Sequence, residues 1–389
     1  MPWIEGNHDC QWYLTSTVGG KVYFDKYGTN SVRQADLLCR YYFLEYRVFR
    51  TIKRMSQTSA TGKAILAGTL LLTLAFASRP YPSHTADTSG CGRPHAPGYH
   101  DADDTNSLES GGLTRQYGIY IPQSYNDNPN KPRKLILDYH GNNGTPLNQY
   151  NNSRYFDYPN GEEYLAVYPA GVDQSFQSAP YAAEGVDDLQ FTTDLLAHLR
   201  QKYCVDSDHV YASGKSNGGG FVDFLACSEN GDEFAAFAMA SAALYSDNGV
   251  EQCNNTRARA VLESHGMNDT TISYYGGPRN GATLPDIQSW IGWWAQRDGC
   301  KAGCEDCRDV QQHSGYEVIS YDCGGLQDVV QHYEVFDLGH CWPSSTGDNS
   351  DSARAYCGDR SLDFTPVVLD FFSRWSLRSI SGKWQEWET

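Results

Sequence analysis

The stretch VYASGKSNGGGFVDFLAC, residues Val210–Cys227, decides the fold. Val210 and Tyr211 are β-branched and aromatic, the residue chemistry of a strand. Gly214-Lys215-Ser216-Asn217-Gly218 then matches G-x-S-x-G, and Phe221, Phe224 and Leu225 follow at helical spacing. In the strand–turn–helix setting of that motif, glycines flank a serine whose hydroxyl projects from the carboxyl edge of a parallel sheet. Gly218, Gly219 and Gly220 open the helix although each costs about 1 kcal/mol relative to alanine. Three in succession are expected where the helix passes close to the strand and must leave room at Ser216. A glycine-rich turn with an incidental serine would give the same pentapeptide. The flanking strand and helix favour the catalytic reading.

A serine hydroxyl is a weak nucleophile until a base takes its proton, and the base works best when a carboxylate orients its imidazole. Behind this elbow the partners come in the order Ser, Asp or Glu, His. His340 follows the strand pattern HYEVF in the loop Leu338-Gly339-His340-Cys341-Trp342-Pro343, where a base at the sheet edge is expected. His332 falls within that strand pattern and His313 in a polar stretch, which suits structural roles. For the acid, Asp247, Asp269, Asp286 and Asp328 are available, and Asp269 lies just past a strand ending near Glu263. A carboxylate closing its own Asx turn would look the same in sequence. His265 precedes the acid and so breaks the order; a packed or loop-orienting role fits it better. Acyl transfer also needs donors for the developing oxyanion. Asn217 supplies one backbone N–H, and Gly141 and Asn142, directly after the strand KLILDY, are candidates for the second.

Working outward, Gln116–Pro122, Lys134–Tyr139, Tyr164–Tyr168, Ala258–Glu263, Tyr316–Tyr321 and His332–Phe336 read as strands. Helical patterns cover Asp187–Tyr203, Ile287–Arg297 and Thr365–Trp375. The alternation predicts an α/β protein with a mostly parallel sheet and helices on both faces. No internal repeat and no long linker interrupts it.

The chain has 389 residues and a net charge of −17. Residues 1–77 hold nine basic and five acidic residues, the remainder 21 basic and 42 acidic. So acidic a body argues against nucleic acid or an anionic membrane surface as partner. Ten of the twelve cysteines lie beyond residue 77, which suggests disulfides and an oxidising compartment. Cys91 is placed to staple the Ser-, Pro- and Gly-rich leader to the body. Cys300-x3-Cys304-x2-Cys307 has a spacing that could hold an iron–sulfur cluster, but no other cofactor motif accompanies it. No metal or cofactor is expected.

The amino-terminal part does not match the rest. Residues 1–54 show no clear strand or helix periodicity and form an unexplained extension. After Met55 and Lys63 comes an apolar run of 14 residues, Ala64–Ala77, ending in Ala75-Phe76-Ala77. That is short for a membrane span of about 20 residues and suits a signal peptide over 55–77 with an A-x-A cleavage site. The expectation is a secreted catalytic domain over 78–389, with a type II membrane anchor as the alternative. Sequons stand at Asn143, Asn151, Asn254 and Asn268. Asn151 and Asn254 are the expected acceptors, since the other two adjoin the proposed site.

The segments YHGNNGT, FQSAPYAAEGVDDLQFTTDLL, VYASGKSNGGGFVDFLAC, ESHGMNDTTISYYGG and LGHCWPS resemble, in order and spacing, the secreted fungal feruloyl esterases of carbohydrate esterase family 1. Those enzymes are also similar to polyhydroxybutyrate depolymerases. The resemblance covers residues from about 88 onward. It implies an α/β-hydrolase fold and hydrolysis of ferulate or related hydroxycinnamate esters on plant cell-wall arabinoxylan, with Ser216, Asp269 and His340 as triad. Trp342, Phe176 and Tyr181 are candidates for a wall against the aromatic acyl group. Tannase-like feruloyl esterases carry cysteines beside both serine and histidine. Here Lys215 precedes Ser216, so that bond cannot form and Cys341 must pair elsewhere. Alternatives are an acetylxylan esterase or polyester depolymerase on the same frame and, from a different class, a non-catalytic carbohydrate-binding protein.

Overall fold

The computed structural model describes residues 12–18, 21–26 and 89–381, apart from 254–256, 302–303, 352–356 and 359–360. The proposed signal peptide and cleavage site, and the sequon asparagine Asn254, lie outside these residues. In the amino-terminal unit, β1 (Trp12–Val18) pairs antiparallel with β2 (Lys21–Lys26). Residues 1–54, in which no clear periodicity is read from the sequence, thus hold a hairpin. WYLTSTV and KVYFDK are rich in β-branched and aromatic residues, and Gly19-Gly20 between them is a hairpin signal.

The second unit, from residue 80 onward, is built on an 11-stranded sheet. Its strands are β3 (Gly98–His100), β4 (Ser107–Ser110), β5 (Leu113–Ile121), β6 (Arg133–Tyr139), β7 (Tyr164–Pro169), β8 (Val205–Lys215), β9 (Ala236–Ala240), β10 (Ala260–Gly266), β13 (Arg308–Gln312), β14 (Tyr316–Cys323) and β15 (Leu326–Val335). A separate short hairpin joins β11 (Gly277–Arg279) to β12 (Ala282–Leu284). Among the described residues the helices are α1 (Pro146–Ser153), α2 (Asp188–Lys202), α3 (Asn217–Ala226), α4 (Ile287–Arg297) and α5 (Phe364–Ser373). None is long and apolar enough to cross a membrane.

Six neighbouring strands, in the order β15-β10-β9-β8-β6-β7, run parallel. Antiparallel strands flank them on both sides, β13 and β14 beyond β15, and β5 and β3 beyond β7. Three of the parallel strands, β7, β9 and β10, are buried at every position. That is what a sheet covered on both faces demands. From β6 the chain steps outward to β7, then returns to the other flank of β6 as β8. Right-handed crossovers send the helices of the two directions to opposite faces. The reversal leaves a crevice at the carboxyl ends of β6 and β8, where ligands bind in open α/β sheets. This is the α/β-hydrolase arrangement.

Five disulfides fasten the loops: Cys91–Cys204, Cys227–Cys253, Cys300–Cys323, Cys304–Cys307 and Cys341–Cys357. Cys91 joins the leader to the body, as expected. Cys300, Cys304 and Cys307 are all spent in disulfides, so the cluster spacing holds no iron–sulfur ligand set. Strand β9, with sequence AFAMA, escapes pattern reading because alanine carries no strand preference and no alternation.

Candidate active site

Ser216 sits between β8 and α3 with φ 56° and ψ −119°, a conformation that L-residues avoid and that survives only where the surroundings enforce it. They do so through backbone. The Ser216 N–H donates to the Ala240 carbonyl at 2.9 Å, while the Ser216 carbonyl accepts from Gly220 and Ala243 at 2.9 and 3.0 Å. A Cβ on Gly218 would fall on the Tyr139 carbonyl oxygen, and one on Gly220 on the Ala243 carbonyl oxygen. A Cβ on Gly214 would come 2.6 Å from the backbone of Gly218. The glycine run is therefore the means by which α3 lies directly on the strand ends.

Two further loops meet the serine. His340 Nε2 is 2.8 Å from Ser216 Oγ, and His340 Nδ1 is 2.7 Å from Asp269 Oδ2. The acid is fixed from behind: Asp269 Oδ1 accepts the backbone N–H groups of Thr271 and Ile272, both at 2.8 Å. The histidine loop is interlocked with the end of β10. Asn268 donates its N–H to the Leu338 carbonyl, and a Cβ on Gly266 would fall on that same carbonyl oxygen. Burial, then the nearby Lys215 ammonium, holds His340 below its ordinary imidazole value despite the Asp269 partner. A buried, neutral imidazole bonded to a hydroxyl is poised to take its proton.

The Asp269 carboxylate meets a second histidine. His265 Nε2 lies 3.3 Å from Asp269 Oδ2 and bonds the Ile272 carbonyl at 2.8 Å, while His265 Nδ1 is 2.9 Å from Glu263 Oε1. Although burial opposes its charge, Glu263 and Asp269 push His265 up to about 10. Burial likewise works against the Asp269 anion, yet hydrogen bonds from His265 and His340 hold its carboxyl well below the usual range. On the far side His332 Nδ1 stands 2.8 Å from Glu263 Oε2, though out of line for a hydrogen bond. The Tyr274 hydroxyl closes the cluster by touching His332 and Glu334.

The loop after β6 lies against the nucleophile. A Cβ on Gly141 would be 3.3 Å from Ser216 Cβ, a contact that would crowd the nucleophile. The loop is held by His140, whose Nε2 accepts the Gly171 N–H at 3.1 Å and whose Nδ1 therefore carries the proton given to the Gly141 carbonyl at 2.8 Å. Burial pushes this histidine down to about 4, so it stays neutral. Asn142 is exposed, and the approach to Ser216 is made by Gly141. Asn217, as the first residue of α3, offers one of the amides that no helix satisfies internally. Its side chain grips the backbone of Phe176 through two bonds of 2.8 and 3.0 Å.

Two expected wall residues are corrected. Trp342 and Phe176 are both 0 % exposed and present no surface to a substrate. Trp342 is pinned by its indole N–H to Thr365 Oγ1 and by its rings' packing on Tyr155 and Phe364. Phe176 lies under the β6 loop against His140, Tyr139 and Phe221. Tyr181 is half-buried and belongs to a small separate apolar cluster with Tyr245, Ile272, Leu284, Ala179 and Ala243. That cluster abuts the site twice, since Ala243 bonds the Ser216 carbonyl and Ile272 bonds Asp269. Tyr245 and Ile272 were not singled out from the sequence. The tyrosines of YAAEG and ALYSD and the isoleucine after NDTT carry no spacing that separates them from core residues.

No family model matches the chain. It is 29% identical to feruloyl esterase C of Emericella nidulans over 55% of this chain and 73% of that protein. It is 27% identical to a probable feruloyl esterase C of Aspergillus flavus over 66% of this chain and 84% of that protein. A bifunctional acetylxylan esterase/xylanase of Neocallimastix patriciarum is 29% identical over 42% of this chain, which spans 22% of that longer protein. Among solved structures, an acetyl xylan esterase from Aspergillus awamori overlaps 58% of this chain and 89% of its own at 16% identity and a TM-score of 0.45. The sheet order gives the chain an α/β-hydrolase fold, and its sequence is similar to the fungal feruloyl esterases.

Proposed function

We propose that the chain is a secreted serine esterase that hydrolyses ferulate or related hydroxycinnamate esters of plant cell-wall arabinoxylan through an acyl-enzyme. The observation that carries the reading is His340, bonded at once to Ser216 Oγ and Asp269 Oδ2. Ser216 Oγ attacks the ester carbonyl carbon as its proton passes to His340 Nε2. Asp269 keeps the imidazole in the Nδ1–H tautomer and stabilises the imidazolium. The carbonyl oxygen, now negative, is met by the N–H of Asn217 at the positive end of α3 and by the Gly141–Asn142 backbone. The C–O bond then breaks and His340 returns the proton to the departing sugar oxygen. Water, activated by the same base, releases the acid and restores Ser216.

Tyr181, half-buried and held edge-on by the buried Tyr245, supplies the aromatic face at the acyl side, which suits a planar hydroxycinnamoyl group. Five disulfides and the acidic composition support function outside the cell. The likeness to an acetylxylan esterase keeps a deacetylase as second reading. Methyl ferulate, acetylated xylan and polyhydroxybutyrate, assayed on one preparation, decide between them. Faster turnover of acetylated xylan than of methyl ferulate would reject the hydroxycinnamate reading. Failure of a fluorophosphonate probe to label Ser216 would reject the serine esterase itself.

A further inference from the structure

Lys215 is the residue immediately before the nucleophile, and it is not exposed. Its ammonium lies 3.1 Å from Asp351 Oδ2 and 3.3 Å from Oδ1, and both side chains are at most one-tenth exposed. Asp351 is a junction of three segments. Its Oδ2 accepts the N–H of Trp342 at 2.8 Å, two residues past the base, and the Nδ2 of Asn152 in α1 at 2.9 Å. Its own N–H returns to Asn152 Oδ1 at 3.2 Å. The same carboxylate thus holds the strand that carries Ser216 and the loop that carries His340.

We propose that Lys215 and Asp351 are positioning residues of the acylation step: their buried ion pair fastens the serine's strand to the histidine's loop and fixes a cation beside the base. The proposal rests on the serine esterase reading above. Two structural elements that approach from different parts of the sequence must keep Oγ and Nε2 at bonding distance, and a buried ion pair of defined geometry sets such a register. The cation has a second effect. The charged and titratable groups around His340 are Asp269 beyond the end of β10, His265 and Glu263 on β10, Lys215 on β8, and Asp351 on the loop that follows His340. Asp269 favours the imidazolium, whereas Lys215 and protonated His265 oppose it. With Lys215 charged, the base stays unprotonated to lower pH, so the esterase keeps working in mildly acidic surroundings.

The test uses four variants of the full chain: K215M, which keeps the aliphatic stem and drops the charge, K215R, D351N, and the double variant K215M/D351N. Readouts are the melting temperature, the fluorophosphonate labelling rate, and the pH dependence of kcat/KM on an aryl acetate. In K215M the acid limb moves upward by about one pH unit, which lowers labelling about tenfold at pH 5. K215R restores the limb. D351N, which strands a buried ammonium, melts earliest, and the double variant recovers stability while its limb remains shifted in the same direction by a smaller amount. If K215M does not fold, the double variant decides. A limb unmoved in the folded variants, with kcat/KM at the pH optimum within about twofold of the parent, overturns the proposal. Parent protein that does not label at all overturns instead the esterase reading on which it rests.

Discussion

Two histidines from different regions of the molecule meet at one carboxylate, and their states are opposite. His340, on the loop after β15, touches Asp269 and Ser216 and is kept neutral by burial and by a nearby cation. His265, inside β10 and 0 % exposed, lies between Glu263 and Asp269 and is held charged. Both are buried, so desolvation does not distinguish them. The count of carboxylates does: one anion facing His340 against a cation beside it, two anions facing His265. The acid is anchored by the charged histidine, and the neutral one is left free to exchange its proton.

The sharpest way to break this contrast is to remove the group that only His340 serves. Ser216→Ala is expected to lower kcat by about 10⁴- to 10⁶-fold, as loss of a triad nucleophile does elsewhere, with melting temperature little changed. Retained hydrolysis within tenfold of the parent sinks the triad. Asp269→Asn removes the shared carboxylate and leaves His340 without its tautomer partner; kcat should fall about 10³- to 10⁴-fold. A drop of less than tenfold would show that the acid lies elsewhere.

His265→Gln addresses the other side. A group whose folded value is raised from 6.5 to about 10 contributes stability that is fully present below pH 6.5 and lost as pH rises through 10. The parent's melting temperature should therefore decline between those values, and the variant's profile should be flatter, lying lowest relative to the parent below pH 6.5 and approaching it toward pH 10. Equal slopes would mean that His265 is neutral. For His340 the sign is opposite in effect: activity needs the neutral ring, whose folded value is depressed, so the acid limb of kcat/KM should fall below pH 6.5. A limb above 6.5 contradicts the burial and cation argument. The smallest effect belongs to the wall. Tyr181→Ala should raise KM for methyl ferulate about three- to tenfold and leave aryl acetate nearly unchanged, in line with about 1 kcal/mol for an aromatic contact. Equal changes on both substrates would remove Tyr181 from acyl recognition.

The elbow was legible because sterics write it into sequence: where backbone must touch backbone, only glycine serves, and Gly214, Gly218 and Gly220 each meet a main-chain atom. The parallel sheet was legible because the apolar cores of KLILDY and YLAVYP alternate with amphipathic helical segments. Strand β9 was not, since AFAMA is buried for its position between β8 and β10 and not for its composition. Trp342 stands two residues past the base in sequence, which suggests a wall, but its side-chain direction is set by packing on Thr365 and Phe364 from α5, more than 20 positions away. The Lys215–Asp351 pair spans 136 positions and has no local signature at all.

The base also stands next to Cys341, whose sulfur is tied to Cys357, 16 positions further on. Within that closed ring lies Asp351, which in turn holds Trp342. The loop that carries the base is thus closed covalently on itself at the carboxyl end of the sheet. Opening that ring is expected to loosen the loop that carries His340 while its hydrogen-bonded sheet persists. Mild thiol reduction that abolishes probe labelling at unchanged far-UV signal is the measurement that shows it.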